Sequence, residues 1–235
     1  MTFRIRRVTT TRRGGASAPP FDTFNLGDHV GDDPAAVAAN RARLATAVGL
    51  GEDRIVWMNQ VHGDRIVDVD GPVAGAVDDT DGLVTATPGL ALAVVTADCV
   101  PVLLSDARAG VVAAVHAGRV GAHKGVVVRA VEAMVARGAH VEDVSVLLGP
   151  AVSGRNYEVP DAMADDVEAA LPGSRTTTAR GTAGLDLRSG LARQLTALGV
   201  TAIDVDPRCT VEDPDLFSHR RAAPTGRLAC LVWME

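Results

Sequence analysis

Apolar positions are densest between residues 90 and 121, which read LALAVVTADCVPVLLSDARAGVVAAVHAGRVG. Three runs stand out, over 91–96, 100–104 and 111–115, each short, valine-rich and bounded by breakers. Runs of this kind predict buried strands. Asp98 and Cys99 separate the first two, and the third delivers His116 into a glycine-containing turn. Burying Asp98, Cys99 and His116 among apolar strands is costly unless each is paired or ligated.

The pattern elsewhere is weaker but readable. Residues 2–11 alternate loosely and are rich in β-branched side chains, predicting a strand, and 12–20 form a Gly/Ala/Ser/Pro loop. Asp33 followed by Pro34 predicts a helix start. That helix turns Val37, Ala38, Leu44, Ala45 and Val48 inward, ends near Gly51, and carries Asn40, Arg41 and Arg43. Residues 54–58 and 65–69 read as paired strands joined by the NQVHGD connection that holds Asn59, Gln60 and His62. A turn-rich segment over 71–81 precedes a strand over 82–87. A helix is predicted over 121–137, with Val127, Val131, Met134 and Val135 as its apolar stripe and Gly138 beyond its end. Further on come a strand over 144–148, a helix over 161–171 and an Asp186-capped helix with Leu187, Leu191, Leu195 and Leu198 on one face. Strands over 203–205 and 228–233 complete the pattern, and 175–184 and 207–227 read as polar loops. Clustered strands with unevenly spaced helices predict an α+β fold rather than a regular βαβ alternation. With no repeat and no low-complexity linker, one compact domain over 1–235 is expected.

Composition narrows the class. The chain is 47% hydrophobic and 22% charged, with a formal net charge of -6. These values fit a globular protein and argue against a general nucleic-acid binder, which presents a basic face. No apolar run is long enough to span a membrane. Three cysteines at unrelated spacings do not form a disulfide framework. With no targeting segment visible, a cytoplasmic location is the expectation.

His62, Cys99 and His116 are the residues most able to carry chemistry. Imidazole and thiolate are zinc ligands, and a catalytic zinc keeps three protein ligands plus an open position. Their spacing matches no short metal motif, so an ordinary buried cysteine and a strand-end histidine are the alternatives. A Cys99 nucleophile with His116 as base and Asp98 orienting the imidazole is a further reading, as in a hydrolase or amidase acting on cell-wall peptides. The segment SHRRAAPTGR, from Ser218 to Arg227, holds three arginines able to grip carboxylate or phosphate.

Taken in order, FNLGDHVGDDP, AANRARL, NQVHG, DGLVT, TADCVPVLL, AAVHAG, LGPAVSGRNYEV and DLFSHRR with TGR resemble the YfiH-type laccase-domain family, from about Phe3 to Trp233. Its members were once described as polyphenol oxidases and are associated with purine nucleoside phosphorylase activity. The resemblance implies a sandwich of mixed sheets with flanking helices. It implies zinc on His62, Cys99 and His116. It also implies phosphorolysis of adenosine, inosine and methylthioadenosine, with hydrolytic deamination of adenosine beside it. On that reading Asp98 joins the trio as a catalytic residue, and Asn59 and Gln60 orient the ligands or touch substrate. Arg41 or Arg43, with Arg220, Arg221 and Arg227, are candidates for the phosphate or ribose. The partners are purine nucleosides and phosphate, with no nucleic acid and no membrane, in a monomer or homodimer. Copper is the weaker choice of metal, because oxidation at several copper sites needs more histidine than six widely spaced residues supply. The chain departs from the family pattern after HAG, where Trp-Arg-Gly is usual and Arg119, Val120 and Gly121 stand here. That change keeps a non-catalytic zinc-bearing binding protein among the alternatives.

Overall fold

The computed structural model describes residues 2–235. Strand β1 (Ile5–Thr9) precedes helix α1 (Pro34–Val48). Asp33 caps that helix by accepting the Ala35 N–H at 2.9 Å, and Gly49 ends it at φ 75°. The helix buries Val37, Leu44 and Ala45 as expected, but Asn40 takes the inward place predicted for Ala38, which is exposed. The Asn40 amide is satisfied there by Ser17 Oγ and the Asn25 carbonyl, so its burial leaves no unpaired donor.

Strands β2 (Ile55–Met58), β3 (Ile66–Asp68), β4 (Ala76–Val77), β5 (Gly82–Thr85), β6 (Ala91–Thr96), β7 (Val100–Asp106) and β8 (Val111–Ala117) follow. The single helix expected over 121–137 is two, α2 (Arg119–His123) and α3 (Val126–Ala136). They break at Gly125, whose φ of 80° no helix interior contains. The remaining elements are β9 (Val144–Leu148), α4 (Asp161–Ala170), β10 (Arg175–Thr177), β11 (Ala183–Leu185), α5 (Leu187–Ala197), β12 (Ala202–Val205) and β13 (Leu228–Met234). Residues expected as a polar loop near 175–184 instead form the β10–β11 hairpin.

The strands make two large mixed sheets. One has the order β1-β13-β6-β2-β4, the other β12-β9-β7-β8-β5-β3. Their facing surfaces enclose Leu83, Leu92, Leu103, Val112, Cys230 and Val232. Outside the six-stranded sheet, Val102, Leu104 and Val115 meet α3 and α5 through Val127, Val131 and Leu191. Outside the five-stranded sheet, α1 covers Trp57, Ala93 and Trp233. The result is the expected α+β sandwich, four layers deep, and it explains why β6, β7 and β8 are continuously apolar: both faces of each are covered. Leu103 is fully buried between the sheets. We expect Leu103→Ala to lower unfolding free energy by about 2–5 kcal/mol in denaturant titration.

One pairing departs from expectation in a way that builds the site. β2 and β3 are not partners: β2 pairs with β6 and β4, while β3 pairs with β5 at the edge of the other sheet. The NQVHGD segment therefore crosses between sheets. The β6–β7 connection bearing Asp98 and Cys99 makes a second crossing, and His116 lies at the neighbouring end of β8.

Candidate metal centre and cavity

Asp81 organises this end of the sandwich. It is 0% exposed and accepts the backbone N–H groups of Val61 at 3.2 Å, His62 at 3.0 Å and Gly63 at 2.6 Å. Its Oδ1 also accepts the His116 Nδ1–H at 2.7 Å, and its carbonyl accepts the His116 backbone N–H at 2.7 Å. One carboxylate thus folds the His62 loop and orients the His116 ring. The Asp81 hydrogen bond keeps the Nδ1 proton in place, so Nε2 is the nitrogen that a metal would take by displacing its proton, the arrangement that metal-binding histidines use. Burial alone would push the Asp81 carboxyl up, but the His116 hydrogen bond and the Gly63 N–H outweigh it and hold it below the usual range.

Cys99 follows a constrained turn. Asp98 has φ 98°, a region costly for a residue with a Cβ. It is held there by the Thr210 hydroxyl on Oδ1 at 2.6 Å, the Arg220 N–H on Oδ2 at 2.6 Å and the Val152 N–H on its carbonyl at 3.0 Å. Both carboxylate oxygens of Asp98 are therefore committed to shaping the loop that presents the thiol. Cys99 Sγ lies 3.9 Å from His62 Nε2. The two imidazoles stand edge to face with centroids 4.7 Å apart. Burial would raise the Cys99 thiol, but the nearby His116 charge and hydrogen bonds from both imidazoles bring it down to about 6. Burial acts on His116 in the opposite sense, and the Cys99 charge with Asp81 raises it to about 9.

One nitrogen of each histidine and the thiol sulfur lie within 4.8 Å of one another. Two imidazoles and a thiolate, with a carboxylate behind one imidazole, form a donor set suited to a borderline-soft divalent ion. Gly118 keeps the space beside them open, since a Cβ there would lie 2.8 Å from His62 Cδ2 and 3.1 Å from Cys99 Sγ. Gly118→Ala is expected to leave the fold intact and weaken metal binding about tenfold or more, the scale of perturbing ligand support. Competitive zinc titration measures this.

The trio opens into a cavity of about 310 Å³. Of the residues singled out from the sequence, Gln60, Asp98, Arg220 and Arg227 line it with the three donors. Gln60 grips β6, its Oε1 accepting the Val95 N–H and its Nε2 donating to the Val95 carbonyl, each at 2.8 Å. The other four are placed elsewhere. Asn59 is exposed and turned toward Asp79. Arg41 stacks on Trp57 at 4.1 Å, donates to the Leu26 carbonyl and pairs with Asp28 at 3.2 Å. Arg43 is exposed and donates to the Gly14 carbonyl. Arg221 donates to the carbonyls of Thr210, Asp213 and Leu216, tying its own loop together. Sequence reading overlooked Asp81, Thr96, Tyr157 and His219, and attached no role to Arg119. Asp81 opens the DGLVT segment, where an acidic residue directly before a fully buried strand is the available signal.

Residues 6–235 match the family described as multi-copper polyphenol oxidoreductase laccase. The chain belongs to this family. A purine nucleoside phosphorylase of Mycobacterium tuberculosis is 77% identical over 235 residues, spanning 100% of this chain and 94% of that protein. Among solved structures, the hypothetical protein YfiH of Bacillus licheniformis superposes with a TM-score of 0.92 at 32% identity, covering 98% of this chain and 93% of that one. YlmD of Geobacillus stearothermophilus gives a TM-score of 0.92 at 35% identity, covering 98% and 92%. This chain thus shares its sandwich with both of these structures. No helix among the described residues is long and apolar enough to cross a membrane.

Proposed function

We propose that this protein is a zinc-dependent purine nucleoside phosphorylase that also deaminates adenosine. The observation that carries the reading is the juxtaposition of a His/Cys/His donor set with a small cavity lined by Arg119, Arg220 and Arg227. None of these arginines has a carboxylate ion-pair partner in the structure, whereas Arg41, Arg137, Arg175 and Arg208 each do. Three arginines against Asp98 and the Cys99 sulfur leave the cavity lining with an excess of positive charge, which favours an anionic substrate such as phosphate. The cavity volume lies near the lower end of the range for small-molecule sites, about 300–1,000 Å³. The purine nucleoside phosphorylase of Mycobacterium tuberculosis, at 77% identity along the entire chain, supports the same reaction.

In phosphorolysis a phosphate oxygen bonds to C1′ of the nucleoside while the bond from C1′ to the purine nitrogen breaks. The electron pair leaves with the base, which gains a proton, and ribose 1-phosphate remains. His62, Cys99 and His116 would hold the zinc, which when bound supplies Lewis acidity at the inner end of the cavity. Asp81 keeps the proton on Nδ1 of His116 and so fixes which nitrogen faces the cavity. Asp98 and Gln60 hold the two loops that bear Cys99 and His62. The arginines bring the anion to the sugar and offset its charge against the purine leaving group. Tyr157, with Arg220 stacked 5.0 Å from its ring centroid, walls the cavity with an aromatic surface suited to a nucleoside. In deamination, water replaces the amino group at C6 of adenosine and ammonia leaves. The three cysteines are unbridged, as suits a reducing cytosol.

Zinc suits a mixed nitrogen and sulfur set with no call for redox chemistry, and one such three-donor group is present among the described residues. Metal analysis and a nucleoside panel test the proposal together. Zinc-replete protein should release hypoxanthine from inosine only when phosphate is supplied, with ribose 1-phosphate as the second product. Release that ignores phosphate, or none from any purine nucleoside, would sink it.

A further inference from the structure

Thr96 closes β6 and forms part of the cavity wall. It is 1% exposed, and its hydroxyl has no hydrogen-bond partner in the protein. The other buried side-chain atoms left unpartnered among the described residues belong to Arg7, Gln194 and Trp233, none of which lines this cavity. A hydroxyl buried without a partner is destabilising unless a ligand supplies one.

Arg227 lines the same cavity from the start of the neighbouring strand. Thr96 is in register with Leu228 of β13, so Arg227 directly precedes its cross-strand partner. Arg227 is half-buried, and one arm of its guanidinium, Nη1, donates to the carbonyls of Thr225 at 2.9 Å and Gly226 at 3.2 Å. The nearby negative groups are Cys99 and Asp98, and Asp98 already spends both oxygens on Thr210 and Arg220. Nε and Nη2 of Arg227 therefore have no acceptor in the protein. Arg220 is engaged differently, stacked on Tyr157 and donating to the Glu158 carbonyl at 3.1 Å.

We propose that Thr96 and Arg227 together form the subsite for inorganic phosphate, the hydroxyl donating one hydrogen bond and the free edge of the guanidinium two more. The assignment rests on the phosphorolytic reading and refines it. A guanidinium fork matches the spacing of two phosphate oxygens, and a hydroxyl beside it takes the third. The Tyr157 side of the cavity is then left to the nucleoside.

Equilibrium dialysis of radiolabelled inorganic phosphate against zinc-loaded protein, without nucleoside, tests this directly. Thr96→Val and Arg227→Gln should each weaken phosphate binding and raise the KM for phosphate by about tenfold or more, with the KM for inosine within about threefold. Thr96→Ser, which keeps the hydroxyl, should restore most of the affinity. Zinc content and circular dichroism identify any variant that misfolds, and Arg227→Gln, on a partly exposed side chain, remains informative if Thr96→Val does. Ribose 1-phosphate should displace the label. Phosphate affinity and KM near wild type in a folded variant would overturn the assignment. So would a loss confined to inosine, which would place Thr96 on the ribose, or equal displacement by a nucleoside 5′-monophosphate, which would make this a nucleotide site. Phosphate-independent release of purine by the wild type would instead remove the phosphorolytic reading itself, whatever the dialysis shows.

Discussion

Cys99→Ala protein is expected to hold no stoichiometric zinc and, on the phosphorolytic reading, to turn over inosine about 10²–10³-fold more slowly than wild type, the scale of losing a main electrostatic stabiliser of the transition state. The size of the effect follows from the donor set. The sulfur is the one anionic donor of the three, and a tripodal site reduced to two imidazoles no longer encloses an ion. The fold should tolerate the change, because Asp98 fixes the loop through Thr210, Arg220 and Val152 without help from the thiol. Metal content by elemental analysis and initial rates with saturating phosphate measure the outcome. A variant that keeps one zinc per chain would remove Cys99 from the site. If it also kept full turnover, it would return the cysteine to ordinary packing.

Asp81→Asn is expected to damage both stability and metal affinity. The carboxylate accepts four hydrogen bonds in a site with no access to water, from three consecutive backbone N–H groups and one imidazole. An amide offers one acceptor oxygen and points an N–H₂ at donors that cannot reciprocate. The cost should be about 3 kcal/mol, or a fall in Tm of roughly 6–12 °C for a chain of this size. Zinc affinity should fall about 10–100-fold, as when a carboxylate behind a liganding histidine is lost. The pH dependence has a definite sign. The Asp81 carboxyl sits below its ordinary value in the folded protein. Its contribution is therefore full above about pH 4, the unfolded value, and is lost as pH falls through the folded one. Acid titration of metal-free wild type should show this loss, and the Asn variant should lack it. A variant as stable as wild type, with the same acid limb, would show that Asp81 does not hold the His62 loop.

The sequence was most legible where tertiary structure imposes a uniform environment. β6, β7 and β8 could be found from apolar runs alone because each lies between two covered layers. Asp33 and Pro34 announced α1 because capping is a local event. Pairing was less legible. A short connection between two apolar runs looks like a hairpin, yet 59–65 passes from one sheet to the other, and nothing in its residues records the choice. Arginines show the same limit. All five candidate arginines donate to backbone carbonyls, yet only Arg220 and Arg227 also line the cavity, and the side chain is identical in both settings. Its place directly before a fully buried strand sets Asp81 apart from Asp78 and Asp79 in the same turn-rich segment, but its partners lie on loops that the local sequence does not identify.

The position of β13 has a consequence for biosynthesis. It is flanked by β1 and β6 in the five-stranded sheet, yet it follows them by most of the chain's length. Until it emerges from the ribosome, the edges of β1 and β6 that will flank it have no strand between them, and the nascent chain must carry those unsatisfied edges for most of its translation. Folding of so non-local a ladder is slow, and Arg227, which enters just ahead of β13, reaches the cavity only when that gap closes.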